Sequence, residues 1–182
     1  MGTCEAANAP LDPGSCLSAL SAQLQVKKNV DPAKNQLKWK WGRGQAFDQN
    51  ALGDPQTDTS YTLCVYDTTA SASSLETGVD VVPGGAWTSK APKGWSYKDK
   101  TGASDGVQGI QLRTGAGGRT KAQVKARGVN LPMPAPFGAE YFDQDPNVIV
   151  QLVSSEGLCL TSSFDASGTT KNEPAQFKAK AQ

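Results

Sequence analysis

The sequence predicts an all-β chain, a single domain over residues 1–182 folded as an antiparallel β-sandwich of about 8–10 strands. Three observations predict it. Short runs alternate apolar and polar residues with the period of two that a half-buried strand needs. Nineteen Gly and eleven Pro punctuate these runs at turn-like intervals. Four Cys stand at positions 4, 16, 64 and 159, none in a CxxC pair. An even count at wide spacing suits two disulfides in an oxidising compartment.

Residues 1–16 read as an irregular segment tied down by a disulfide. The alternation Leu20, Ala22, Leu24, Val26 starts a strand, and Asn29, Asp31 and Pro32 turn it. The returning arm carries Leu37, Trp39 and Trp41 on one face, with Lys38 and Lys40 facing water. Residues 42–60 read as a long loop. Residues 59–67 form the clearest strand, with Tyr61, Leu63 and Val65 on one face and Thr62, Cys64 and Tyr66 on the other. The Ser/Thr/Ala-rich stretch 68–78 reads as a loop, followed by a short strand over 79–82 and another over 93–100. A second hairpin spans 107–114 and 119–127 around Gly115, Gly117 and Gly118. Residues 129–145 are Pro-rich and irregular. A last hairpin joins 147–154 to 158–163, and 175–180 closes the chain as a strand.

The hairpins recur. Val26 and Leu112 hold like positions 86 residues apart, Trp39 and Val124 85 apart, and Tyr61 and Val148 87 apart. Units 20–67 and 107–154 therefore read as an internal duplication, each too thin to cover its own apolar face.

Composition excludes several chemistries. The chain has no His, which removes His-based triads, His-ligated metals and His pH switches. The formal charge of +1, without a Lys/Arg block, predicts no nucleic acid partner. No apolar run reaches membrane-spanning length, and no signal peptide pattern is present in this chain. Three disulfide connectivities are possible. The reading favours Cys4–Cys16 and Cys64–Cys159, the latter closing a loop of about 95 residues. Free thiols and a four-thiolate site are the competing readings.

Candidate sites follow from residue type. Trp39 and Trp41 would suit a sugar platform, but their alternation with lysines explains them as core. Trp87, Trp95 and Tyr97 lie beside Gly and Pro in less regular sequence and are the better ligand-binding candidates. Asp48, Asp54 and Asp58 share one loop, and Asp143 and Asp145 its counterpart, which makes them candidate calcium ligands. No D-x-D-x-D-G loop is present, and turn chemistry accounts for the same residues. No other cofactor is expected.

The strand Tyr61-Thr62-Leu63-Cys64-Val65-Tyr66-Asp67, the stretch 94–134 and the tail Gly157-Leu158-Cys159-Leu160 carry a resemblance. Over residues 17–180 the chain resembles a poorly characterised β-rich domain of large exported proteins from environmental bacteria. Members often carry an extra Cys pair near residues 85–87 and a Trp after the last Cys. This chain has Gly85-Ala86-Trp87 and Leu160 there. The resemblance implies export and an extracellular or cell-surface location. It implies no activity and no catalytic residue.

The expected function is a non-catalytic exported structural or interaction module. It would serve as a cell-surface, matrix or filament subunit or an accessory domain, with protein partners or self-association by edge-strand addition. A carbohydrate-binding module is the alternative, and a His-free hydrolase ranks below it. The working surface is expected in loops 42–60 and 129–146 or at the sheet edges.

Overall fold

The computed structural model describes Cys4, residues 9–69 and residues 72–181. Alternation builds six hairpins in succession. They are β1 (Ala19–Lys27) with β2 (Gln36–Gly44), β3 (Tyr61–Thr68) with β4 (Ser73–Val81), and β5 (Trp87–Ser89) with β6 (Gly94–Lys98). Then come β7 (Val107–Arg113) with β8 (Thr120–Arg127), β9 (Asn147–Ser154) with β10 (Cys159–Asp165), and β11 (Thr169–Glu173) with β12 (Gln176–Ala181). The count exceeds the expected strands because of the short β5 and β11, and β4 is longer than the strand expected over 79–82. Most of β4 falls in the stretch expected to be a loop. Its Ser74 is exposed, Val79 and Val81 enter the core, and the buried Thr77 donates its hydroxyl to the Pro132 carbonyl at 2.6 Å. Among the described residues, no helix is long and apolar enough to cross a membrane.

Two antiparallel sheets pack as a sandwich. The larger has the order β11-β12-β1-β2-β8-β7-β6-β5, and the smaller β10-β9-β3-β4. The order reads alike from both edges. Hairpins β1–β2 and β7–β8 meet through β2 and β8, where Trp39 opposes Val124. Strands β3 and β9 meet where Cys64 opposes Gln151. The register obeys a two-fold relation: Tyr61 opposes Ser154, and Val148, which holds the position like Tyr61, opposes Asp67. Units 20–67 and 107–154 therefore sit in equivalent places about one axis.

The core lies between the sheets and centres on β2. Leu37, Trp39 and Trp41 are fully buried. The Trp39 indole N–H donates to Ser162 Oγ at 2.9 Å, and that of Trp41 to the Thr161 carbonyl at 3.0 Å. Both acceptors lie on β10 of the opposite sheet, so each indole fills space and ties the layers. Trp41 folds over Gly44, where a Cβ would come within 1.8 Å of its ring. Only glycine fits there.

The tail forms the strand expected over 175–180 and pairs within its own sheet. Strand β12 pairs with β1 on one side and β11 on the other, and Phe177 points into the core. The edges are guarded. Strand β11 is short, carries a register shift and bears Lys171 and Glu173. Strand β5 has three residues. On the small sheet, Leu17 bridges to Leu160 along β10, and the amide of Asp80 on β4 donates to Asp105.

The middle of the small sheet is covered on both faces. Every residue of β3 is buried, with Cys4 bonded to Cys64 and Leu11 held against the neighbouring β9 on the outer side. There the Gln151 carboxamide accepts from the Leu11 amide at 2.9 Å and donates to its carbonyl at 2.8 Å. The disulfides hold this N-terminal strap to the sheet. Cys4 joins Cys64 and Cys16 joins Cys159, not the favoured Cys4–Cys16 and Cys64–Cys159. The reason is geometric. Strand β9 lies between β3 and β10, which sets Cys64 and Cys159 roughly two strand spacings, about 9.6 Å, apart. A disulfide spans Cα atoms about 4.4–6.8 Å apart. The expected N-terminal irregularity over 1–16 includes residues 1–3 and 5–8, which lie outside the described residues.

Both bonds close long loops, with sequence separations of 60 and 143. Loop entropy gives about 4 and about 5 kcal/mol respectively. Proteolysis without reduction should release linked peptides Cys4–Cys64 and Cys16–Cys159. Replacing Cys16 and Cys159 together by Ser should lower unfolding free energy by about 2–5 kcal/mol, and by more than the same change at Cys4 and Cys64. Denaturant titration measures both. An equal or reversed ranking would refute the loop-length argument.

Candidate functional site

The three aromatic candidates do not form a platform. Trp87 is 1% exposed, Trp95 7% and Tyr97 4%. Alternation decides this, because Ser96 faces out from β6 and Trp95 and Tyr97 therefore face in. The Trp87 ring sits between Tyr61 at 5.3 Å and Tyr97 at 5.2 Å between ring centroids. Trp95 lies opposite Leu112. Their neighbouring Gly and Pro shape the hairpin turn and leave the strand register unchanged.

The acidic loop residues do turn chemistry. The Asp48 carboxylate accepts from the Ala51 amide at 3.1 Å, and that of Asp54 from the Gln56 amide at 2.9 Å. Asp58 accepts from the Thr59 hydroxyl at 2.9 Å. Asp143 and Asp145 flank Gln144 in the separate loop 129–146. Among the described residues, no three His, Cys, Asp or Glu come together as a metal site, so the calcium assignment to these five residues is not supported.

The carboxylate that sequence reading missed is Asp67, buried at the end of β3. It accepts from the amides of Asp143 at 2.6 Å and Gln144 at 2.9 Å. Gln144 has φ of 56° and sends its carboxamide to the Phe164 carbonyl at 2.9 Å and Thr169 Oγ1 at 2.6 Å. Asn172 holds the preceding residues through the amides of Tyr141 and Phe142. Loop 129–146, expected to be a working surface, is thus pinned in part to the core. Burial pushes the Asp67 carboxyl above its ordinary value, against the opposing pull of the Gln144 and Asp143 amides.

The remaining feature lies where no site was expected, on the solvent face of the large sheet. The alternation that sends Leu24, Val26, Leu37, Trp39, Trp41, Val124 and Phe177 inward sends another set outward. On β1 that set is Gln23, Gln25 and Lys27, and on β2 it is Gln36, Lys38 and Lys40. Strand β8 adds Lys121, Gln123, Lys125 and Arg127; β7 adds Gln111 and Arg113; β6 adds Lys98. Strand β12 adds Lys178 and Lys180, and β11 adds Lys171. The only carboxylate on these eight strands is Glu173, on the edge strand β11, 3.4 Å from Lys171. The strands of the small sheet carry Asp67, Glu76, Asp80 and Asp165 and no cation. A formal charge of +1 thus conceals an uneven distribution, with the strand cations confined to the large sheet.

The register sharpens this. Lys38 stands directly opposite Lys125, Arg113 opposite Lys121, and Lys171 opposite Lys178. Like charges directly opposed on one face destabilise a sheet. The signal was present in the sequence as Lys-x-Lys on β2 and on β12, but a summed charge erases it.

Asp67→Asn should lower stability by about 1–3 kcal/mol, because one of the two buried amides then meets an NH2 group instead of an acceptor. A carboxyl raised in the folded state contributes fully below the ordinary carboxylate value, and the contribution is lost as pH rises through the raised one. The gap between wild type and Asp67→Asn should therefore narrow as pH rises above the ordinary carboxylate range. Denaturant unfolding across that rise in pH checks it, and a gap that widens would contradict the assigned direction.

Comparison with models of known protein families, with curated proteins and with solved structures finds no match to this chain.

Proposed function

We propose that the chain is a non-catalytic, exported interaction module whose working surface is the outer face of the large sheet. The observation that carries this reading is the segregation of charge on that face, including like charges directly opposed across strands. A sheet selected for stability alone would intersperse carboxylates among these lysines. Departures of that kind, where local chemistry works against the fold, concentrate at functional surfaces. Neighbouring cations on this face lie within a screening length of about 8 Å, so their potentials add toward an anionic partner. Two disulfides suit an oxidising, extracellular-type environment and support export. The rigid small sheet, doubly covered at its middle, then serves as the support.

Lys125→Glu tests this reading, because it converts the Lys38–Lys125 pair into an attractive one. Stability should rise by about 0.2–1 kcal/mol relative to wild type. Adsorption to a sulfonate-bearing matrix should weaken, with elution at lower salt. Lys90→Glu, in the β5–β6 turn, makes the same change in net charge away from the face and serves as control. Elution of the two variants at the same salt concentration would sink the assignment of the face.

A further inference from the structure

The basic face has internal order. Residues directly opposite one another form rows at right angles to the strands. The central row runs Gln23, Lys40, Gln123, Gln111, Ser96 across β1, β2, β8, β7 and β6. On one side lies a row with Lys38, Lys125 and Lys98 around Gly109. On the other lies a row with Lys121 and Arg113 beside Gly42. An amide-rich line is thus flanked by cations on both sides.

Each glycine opens a depression. The one at Gly42 has a volume of about 410 Å3 and the one at Lys98 and Gly109 about 290 Å3, and both are lined by Gln111 and Gln123. Together they make a shallow groove that crosses the strands. Neither glycine is demanded by the backbone, since neither has a left-handed φ. A Cβ on Gly42 would come no nearer than 4.0 Å to the Ser21 carbonyl oxygen, and one on Gly109 no nearer than 3.7 Å to that of Tyr97. Any small residue would fit at either position, and glycine there leaves the floor open.

We infer that this groove binds a linear anionic polysaccharide laid across the strands, with its acid groups on the flanking cations and its hydroxyls on the central carboxamides. The inference rests on the reading of this face as the working surface and names its ligand. Three properties select the ligand class. Carboxamides both donate and accept, which matches sugar hydroxyls, whereas the phosphate edge of a nucleic acid offers acceptors only. The face carries no exposed aromatic side chain on which bases could stack: among the described residues the exposed large hydrophobics are Leu11, Leu20, Val30, Val82, Val129 and Phe137, and the one aromatic among them, Phe137, lies in a loop. The spacing between strands, about 4.8 Å, is close to the length of one pyranose residue, so successive sugars meet successive strands.

The test uses the full chain with both disulfides intact. Affinity electrophoresis is run through gels containing polygalacturonate, dextran sulfate or uncharged dextran, with a duplex-DNA mobility shift alongside. Retardation by polygalacturonate, dextran sulfate or both, and not by dextran, is expected, and the two anionic polymers separate carboxylate from sulfate recognition. Gly42→Val combined with Gly109→Val keeps the charge and fills the floor. It should weaken polymer binding about tenfold, equivalent to about 1.4 kcal/mol, while elution from the sulfonate matrix stays unchanged. Should that variant lose its folded circular dichroism spectrum, Gln111→Ala with Gln123→Ala truncates outward-facing side chains and carries the same expectation. Full affinity in the folded variant overturns the groove and leaves the basic face standing. DNA binding without polysaccharide binding overturns the ligand class. A wild-type chain that neither meets a polymer nor adsorbs to the matrix overturns the basic face as well.

Discussion

The arrangement depends on the register of β2. Its two indoles cross the sandwich to donate to Ser162 and Thr161 on β10, and those bonds form in one register only. A slip of one residue would turn Lys38 and Lys40 into the core and Trp39 and Trp41 into water. Burying even one lysine without a partner is prohibitive, and an unpaired buried indole N–H costs about 1–3 kcal/mol. The packing that secures the core therefore also fixes which side chains line the outer face. Strand β2 lies at the middle of the large sheet, with β1 and β8 reading their register from it on either side. The order of the basic rows thus follows from the order of the core.

Hairpins were legible in the sequence because they are local. The alternation in 35–41, 59–67 and 147–154 names the strands, and the turns between them show in Asn, Asp, Gly and Pro. Disulfide pairing was not legible, because it depends on which strand lies between Cys64 and Cys159, a fact of topology. The misplacement of Trp87, Trp95 and Tyr97 had a different cause. Gly and Pro around them suggested irregular chain, while the Trp-x-Tyr spacing on β6 already placed both rings on one face. The Ser/Thr-rich residues of β4 looked like a linker because hydroxyl side chains carry little apolar signal, although threonine suits a strand well. The basic face escaped notice because net charge is a sum over the whole surface. Local pattern places Lys38 and Lys40 on β2 and Lys178 and Lys180 on β12 outward, but that these strands share one face with β8 and β7 is a fact of topology.

The two sheets divide the work. The middle of the small sheet is closed on one side by the core and on the other by the N-terminal strap, with Gln151 holding Leu11 and a disulfide to Cys64 and to Cys159. Its strands bear no cation. The large sheet has one face in the core and the other open. Loops 42–60 and 129–146, which the sequence suggested as the display surface, are partly consumed in support. Tyr61 sends its hydroxyl to the Leu52 carbonyl, and Asp67 holds the amides of Asp143 and Gln144. Side chains bound in this way have little freedom left to meet a partner, whereas among the described residues no carboxylate pairs with a lysine of the open face except at Lys171.

An open sheet face normally carries a hazard, since flat β-surfaces and their edges recruit copies of themselves. Here the same charges act against that outcome. Two copies meeting face to face would bring Lys38, Lys125, Lys121 and Arg113 of one against those of the other, a repulsion strengthened by the opposed pairs already present within each sheet. A polyanion reverses the sign of that contact and relieves the internal repulsion as well, because its acid groups come between cations that the fold forces together. Part of the binding energy then comes from strain in the unliganded sheet, with no new packing required. On the proposed reading, the surface is least stable when empty and most stable when occupied, so association with a polyanion and resistance to self-association would follow from one distribution of charge.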